Sequence, residues 1–288
     1  MFYLVAVILL NTVVFSLFKL FGRFQINTLQ AVTVNYWVCV ATGLLMHGSD
    51  VCTPCMVGEP WLISGMLLGA YFIFLFNFMA YSTRTQGMTI TTVANKISLV
   101  IPVLFSFWLY GEPATWMKLS GIVLALPAVY FATKQDGTVQ PKQLLVPIGI
   151  FITSGLSDTA IKFIQHTQLH HPDAQAAFTI ITFATAAALG TTSVFISLAR
   201  GASKPAFKNV IAGIALGIPN YFSIYYLIRL LDADLLPSSS IIPVNNVGIV
   251  ITTSITAIFF FKETTSRLRI IGIAMAVVAI VLIALSGS

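Results

Sequence analysis

The chain contains few charged residues. Of its 288 residues, 8% are charged and 57% are hydrophobic, whereas about 25% of the residues in an ordinary soluble domain are charged. A helix that crosses a bilayer needs about 20 mostly apolar residues, so a chain of this length can be folded almost entirely into membrane spans. This composition excludes a water-soluble protein and leaves no room for a separate soluble domain.

Acidic residues and cysteines are also scarce. Nine acids against 15 Lys and Arg give a net charge of +6, and because the cations stand singly or in short groups, we predict a lipid bilayer with anionic headgroups as partner and no nucleic acid. Sparse acids argue against a cavity for multivalent cations. Cys39 lies in an apolar run and is predicted to be a small buried side chain. Cys52 and Cys55 form a loop CxxC without a second CxxC, which does not favour a redox site.

Catalytic motifs are missing as well. The sequence has no HExxH, no GxSxG and no glycine-rich phosphate loop, so we predict neither an enzyme nor a bound cofactor nor direct use of ATP. His166, His170, His171 and Asp173 form a polar cluster after the sixth apolar run, where a metal site is a minor alternative. Residues 1–10 lack the basic region and cleavage site of a secretory signal, so they predict the start of a retained span.

Ten apolar stretches follow one another along the chain. They cover approximately residues 2–21, 28–47, 61–83, 88–110, 116–133, 143–163, 174–198, 207–230, 235–261 and 267–286. Continuous runs of this length favour helices over the strands of a barrel, which alternate in segments of about 10 residues. We therefore predict an all-α membrane protein with ten transmembrane helices.

The two halves of the chain resemble each other. Matching features recur in the same order, namely Lys19 with Lys162, Gly65 and Gly69 with Gly213 and Gly217, Tyr110-Gly111-Glu112-Pro113 with Phe261-Lys262-Glu263-Thr264, and Gly121 with Gly272. With five spans in each half, such a duplication places the halves in opposite orientations. The sequence thus predicts two inverted five-helix repeats, residues 1–137 and 138–288, joined by a polar linker at 134–142. The glycines are expected to bring helices into close contact without binding cargo.

Several of these features resemble the drug/metabolite transporter superfamily, EamA-like branch. The resemblance covers essentially the whole chain and rests on the five-plus-five spans, the pattern from Leu9-Leu10-Asn11 to Lys19, and the Gly111-Glu112 and Lys262-Glu263 span ends. It implies transport of amino acids and other small metabolites through a central cavity lined by spans one, three, four, six, eight and nine. The chain departs from the family pattern at Asn11, where many members have tryptophan, and at Asn95-Lys96, where an apolar-proline stretch is common.

Lys96 is the most informative residue of the sequence. It lies near the middle of span four, where a cation costs roughly 2.5 to 3.5 kcal/mol, so it is expected to face a wet cavity or a partner. We predict that Lys96, with Asn95 and Ser98, binds an anionic group of the cargo. A lysine that snorkels or is neutralised for structural reasons is the alternative.

Polar residues of other spans complete the predicted substrate site. They are Asn11 of span one, Asn77 and Tyr81 of span three, Tyr221 and Tyr225 of span eight, and Ser239, Asn245 and Asn246 of span nine. The two residues chosen from span three, like the two from span eight, are four apart and share a helix face. The alternative is an interfacial belt for the tyrosines, and for the span-nine serines the repair of backbone groups freed by Pro243.

Asp158 has two interpretations. It precedes Lys162 by four residues on span six, in the order that favours a helix ion pair, and this pairing is the preferred interpretation. The functional alternative is a proton-binding carboxylate that couples transport, because Asp158 is the only acid well inside a span. Lys19 is predicted to be an interfacial cation, and Glu112 and Glu263 are predicted to be turn or capping residues at span ends.

The cations predict the orientation in the membrane. One side carries Lys19, Arg23, Arg84, Lys134, Lys142, Arg200, Lys204, Lys208, Lys262, Arg267 and Arg269, while the other carries Lys118, Lys162 and Arg229. The richer side is expected in the cytoplasm. Both termini are therefore predicted to be extracytoplasmic, against the norm of the resembling family, and so is the loop with Cys52 and Cys55.

We therefore predict a secondary transporter of the bacterial plasma membrane that exports small organic metabolites such as amino acids by alternating access. One alternative is an exchanger of organic anions or phosphorylated metabolites, which would be expected to place more than one cation in the cavity. Another is an intramembrane enzyme or lipid-processing scaffold that uses Asp158 and the loop histidines. A monomer is sufficient for a pathway, and a dimer stays open.

Overall fold

The computed structural model describes residues 2–48, 58–109, 114–133, 141–169, 172–232 and 238–285. Eleven α-helices occupy these residues: α1 (Phe2–Arg23), α2 (Thr28–His47), α3 (Pro60–Thr85), α4 (Met88–Ile97), α5 (Val100–Leu109), α6 (Trp116–Thr133), α7 (Pro141–Gln168), α8 (Pro172–Ala199), α9 (Phe207–Asp232), α10 (Ser238–Phe259) and α11 (Arg267–Leu285). The predicted all-α class is confirmed. Each of the ten apolar stretches is helical, and the fourth is divided between α4 and α5.

The helices are apolar over lengths that suit a bilayer. Eight stretches, among them the combined α4 and α5 segment Met88–Phe105, are long and apolar enough to cross a membrane by length and composition, and Trp116–Ala132 and Val244–Phe259 are shorter apolar helices. So many apolar helices in one chain indicate a membrane-embedded, multi-pass protein.

Some sequence-based predictions fall outside the described residues. They concern Cys52 and Cys55, Gly111 and Glu112, most of the linker between the predicted repeats, and His170 and His171. Ser239 and Asp173 are described for their backbone only.

The described helices group into two compact units. The first unit comprises residues 1–19, 81–159 and 222–288, and the second comprises residues 20–80 and 160–221. Each unit draws on both halves of the sequence. The two compact units therefore divide the chain differently from the two predicted repeats, which describe duplication of the sequence and not contact between helices.

In the first unit, α4, α6, α10 and α11 share an apolar core that includes Val93, Ala128, Val250 and Ile280. Small residues let α6 and α11 approach closely. A Cβ on Gly121 of α6 would lie 2.8 Å from the carbonyl oxygen of Ala279, and a Cβ on Gly272 of α11 would lie 2.7 Å from Cα of Ala132. Only glycine fits at both positions, as expected where helix backbones meet in a membrane.

In the second unit, the glycines of α3 and α9 face other helices. A Cβ on Gly69 of α3 would lie 2.8 Å from Cβ of Thr185 in α8, and a Cβ on Gly217 of α9 would lie 2.6 Å from Cβ of Val38 in α2. The prediction that these glycines serve helix packing is confirmed.

A buried polar group also joins α2 and α9 in the second unit. The Asn220 amide donates to Asn35 Oδ1 at 3.2 Å, and the Cys39 thiol lies 3.6 Å from the carbonyl oxygen of Gly217. Cys39 is fully buried, which confirms its prediction as a small core side chain. In a bilayer, apolar side chains gain little by leaving lipid for protein, so hydrogen bonds of this kind help to hold helices together.

Candidate functional site

The break between α4 and α5 creates the local geometry of the site. Pro102 has no amide hydrogen, and in a continuous helix its ring clashes with the carbonyl four residues earlier, which belongs to Ser98. The amide of Ile101 donates to the Ser98 carbonyl instead, at 2.9 Å, and the Ser98 hydroxyl donates to the Asn95 carbonyl. The fourth apolar stretch is therefore discontinuous next to Lys96. Pro102 was the signal for this break in the sequence, but a hydropathy average over a whole window does not reveal a single proline.

Lys96 lies in the last turn of α4. The negative end of the helix dipole favours a cation there. Its half-buried side chain interacts electrostatically with Asp158 of α7, whose side chain is exposed. Both residues belong to the first unit. The site thus places one positive and one negative side chain on neighbouring helices of the same unit.

A hydrogen bond fixes α7 beside α4. The Asn95 amide donates to Ser154 Oγ at 2.8 Å, and Ser154 is almost fully buried. One residue on, a Cβ at Gly155 would lie 2.6 Å from Cβ of Ile101, so the missing side chain of Gly155 makes room for Ile101 of α5. Ser154 was not predicted from the sequence, although it lies four residues before Asp158 on the same helix face.

Helix α10 packs against α4 in the same unit and carries two of the predicted ligands. Asn245 and Asn246 are buried, and Asn245 Oδ1 has no hydrogen-bond partner among the described residues. A buried amide oxygen without a partner costs about 1 to 3 kcal/mol, so this oxygen is an acceptor suited to water or cargo. The predicted ligand Ser239 has no described side chain.

Two of the other predicted ligands of the first unit have local partners. The Asn11 amide donates to the Val7 carbonyl one turn earlier, at 3.0 Å. Tyr225 packs edge-on against Phe222, and the Tyr81 side chain is 54% exposed. None of these contacts brings the three residues to Lys96.

Two predicted ligands belong to the second unit. The Asn77 amide donates to the Ile73 carbonyl at 2.7 Å, and Tyr221 is buried, with Cε2 3.4 Å from the position of a Cβ on Gly43. Packing between α9 and α2 accounts for the burial of this tyrosine.

The predicted histidine cluster lies largely outside the described residues. His166 is exposed at the end of α7, and the described residues contain no group of three or more His, Cys, Asp or Glu side chains that could hold a metal ion.

Comparison with known proteins adds information on the fold. No family model matches the chain. The chain is 25% identical over 258 residues to an uncharacterized protein of Haemophilus influenzae, over 88% of this chain and 84% of that protein. A protein of known crystal structure matches it with a TM-score of 0.61 at 15% identity, over 97% of this chain and 98% of the other. The structural match runs through nearly the whole length of both proteins, so the helical architecture is shared as a whole.

Proposed function

We propose that this protein is a secondary transporter that binds a small zwitterionic metabolite, such as an amino acid, between Lys96 and Asp158 and exports it by alternating access. The observation that carries the proposal is the pair of opposite charges beside the break between α4 and α5. Discontinuous helices place polar backbone and ionisable side chains at the substrate sites of transporters. Ionisable groups within apolar spans are costly and mark such pathways.

Reciprocal helix contacts support the inverted repeat in this proposal. Gly121 of α6 contacts α11, and its sequence match Gly272 of α11 contacts α6. Gly69 of α3 contacts α8, and its match Gly217 of α9 contacts α2. In each case the two helices exchange roles between the halves of the chain, as a two-fold relation requires.

The charges define the class of cargo. The Lys96 ammonium suits a carboxylate, and the accessible Asp158 carboxylate suits an ammonium group. A dianionic or phosphorylated cargo would meet Asp158 as a repulsive charge, which favours the amino acid over the organic-anion alternative. A role of Asp158 in proton coupling stays a prediction.

The remaining parts of the proposal rest on the sequence. We place the protein in the bacterial plasma membrane with both termini extracytoplasmic, because of the uneven distribution of Lys and Arg, and the resemblance to the drug/metabolite transporter superfamily supports transport over enzymatic activity.

A ligand screen on the purified protein tests the charge requirement. Three matched sets are compared by thermal stability: amino acids, the amines that they yield on loss of the carboxylate, and the carboxylates that lack the amino group. A ligand that binds the folded state at 100 times its Kd stabilises it by about 2.7 kcal/mol. We expect amino acids alone to stabilise the wild type.

The variants assign each charge. Lys96→Gln is expected to abolish the response to amino acids, and Asp158→Asn is expected to make carboxylates without an amino group as effective as amino acids. Lys204→Gln, at an exposed lysine of the second unit, is the control and should respond like the wild type. If carboxylates that lack the amino group stabilise the wild type as much as amino acids do, the organic-anion exchanger is favoured instead.

A further inference from the structure

A carboxylate is bound at the N-terminus of α4, at the opposite end of that helix from Lys96. The amide of Met88 donates to Glu263 Oε1 at 2.7 Å, and the amide of Thr89 donates to Oε2 at 3.4 Å. The Nζ atom of Lys19 lies 2.8 Å from Glu263 Oε1. The sequence predicted a turn or capping role for Glu263 and an interfacial position for Lys19. The structure shows that the helix capped by Glu263 is α4 and that Lys19 is the ion-pair partner of Glu263.

The cap comes from Glu263 because α4 has no cap of its own. A helix usually begins with a Ser, Thr, Asp or Asn whose side chain accepts from the first free amides, but the N-cap of α4 is Gly87, which has no side chain to do so. Gly87 has a φ of 105°, and a Cβ there would lie 3.0 Å from Glu263 Oε1. Glycine therefore both permits this backbone turn and leaves space for the carboxylate.

The loop that carries Glu263 is itself fixed. The Glu263 amide donates to the Ala257 carbonyl at the end of α10, at 3.0 Å. The guanidinium of Arg269, buried at the start of α11, donates to the Thr264 carbonyl and interacts electrostatically with Glu263. Two cations and two amides thus surround one carboxylate that is 8% exposed. A built site of this kind stabilises an anion.

The position of the carboxylate bears on Lys96 through the length of α4. The helix has ten residues, and Lys96 lies eight residues, or about 12 Å, from Met88. Eight of the ten residues of α4 are buried, so side packing restrains the tilt of the helix, and the carboxylate at its first turn holds its end through two amide hydrogen bonds. A displacement of about 1 Å is enough to impair a polar site.

We propose that Lys19 and the first turn of α4 form a carboxylate-binding niche, that the Glu263 side chain fills it, and that Glu263 thereby acts as a positioning residue for Lys96. The functional meaning of that positioning rests on the proposed transport function, but the niche and the displacement of Lys96 can be measured without any cargo.

The experiment removes the carboxylate and then supplies a free one. Glu263→Ala deletes a fragment of the size of acetate, so acetate is the probe for the niche. The readout is the rate at which trinitrobenzenesulfonate modifies the Lys96 amine in the purified protein, resolved by peptide mass spectrometry and divided by the rate at the exposed Lys204. We expect at least a threefold faster relative rate in Glu263→Ala, because α4 shifts and the amine leaves Asp158. Millimolar acetate is expected to restore the wild-type ratio, while chloride at equal ionic strength is not.

Two further variants keep the result decisive. Glu59→Ala removes an exposed carboxylate and is expected to leave the ratio unchanged with or without acetate. Glu263→Gln keeps the shape of the side chain and one acceptor oxygen, so it replaces Glu263→Ala if that variant does not fold. We expect its relative rate of Lys96 modification to lie between those of the wild type and Glu263→Ala. An unchanged Lys96 ratio in both Glu263 variants would overturn the positioning role, and equal effects of acetate and chloride would overturn the niche. Failure of transport in the wild type would alter neither measurement, so the two proposals can fail separately.

Discussion

The closest helix contacts give a sharp test of the packing. On α3, two glycines face α8 at different distances. A Cβ on Gly69 would overlap the Thr182 carbonyl oxygen and lie 3.2 Å from the amide nitrogen of Ala186, both of which are backbone atoms of α8. A Cβ on Gly65 would lie 3.2 Å from Cδ2 of Phe178, which is the edge of a side-chain ring. The ring can move by a few tenths of an ångström, whereas the α8 backbone cannot.

The gain in helix propensity and the cost of overpacking therefore have a different sum at the two glycines. Alanine improves helix propensity over glycine by about 1 kcal/mol, and overpacking of a rigid contact costs about 1 to 3 kcal/mol, sometimes more. We expect Gly65→Ala to be neutral or stabilising and Gly69→Ala to lower stability by up to about 2 kcal/mol.

Thermal unfolding of the purified variants in one detergent, followed by loss of the monodisperse peak in size-exclusion chromatography, measures this difference. Gly65→Ala is the matched control, since it adds the same methyl group to the same helix face one turn away. Equal melting temperatures for the two variants would refute the described contact of α3 with α8.

Two further predictions concern the first unit. Burial would raise the pKa of Glu263, but the hydrogen bonds from Lys19 and the Met88 amide outweigh it and hold the pKa below its ordinary value of 4.5. A carboxylate with a lowered pKa stabilises the fold at pH values above its ordinary pKa. That contribution is lost as the pH falls through the lowered pKa. The melting temperature of the wild type should therefore fall more steeply below pH 4.5 than that of Glu263→Gln, and parallel curves would contradict the bound carboxylate. Pro102→Ala restores an amide that can continue the helix, so we expect slower hydrogen exchange across residues 98–103 and a weaker ligand response, whereas unchanged exchange would show that the proline does not cause the break.

Apolar periodicity and length were enough to predict the helices, because a span must satisfy its backbone internally. The glycines were also predictable as contact points, since close approach needs small residues. The break at Ser98 was not predicted, because its cause is one proline within an apolar run.

The partners in the site were harder to predict. Asp158 was preferentially assigned to Lys162, its neighbour on the helix, and its electrostatic interaction with Lys96 of α4 was not predicted. Lys19 and Glu263 lie near opposite ends of the chain, and no local pattern indicates that a carboxylate caps a helix other than its own. Contacts between distant segments depend on the tertiary packing, which local patterns do not contain.

Efflux from proteoliposomes measures directly whether this protein transports amino acids through the site at Lys96. Vesicles that contain the wild-type protein are loaded with an equimolar mixture of the twenty amino acids, and the loss of each is followed by mass spectrometry. We expect at least one amino acid to leave wild-type vesicles faster than protein-free vesicles, and we expect Lys96→Gln to abolish this excess while Lys204→Gln retains it. Identical efflux of all twenty from vesicles with and without protein would contradict amino acid transport, and full efflux with Lys96→Gln would contradict the assigned site.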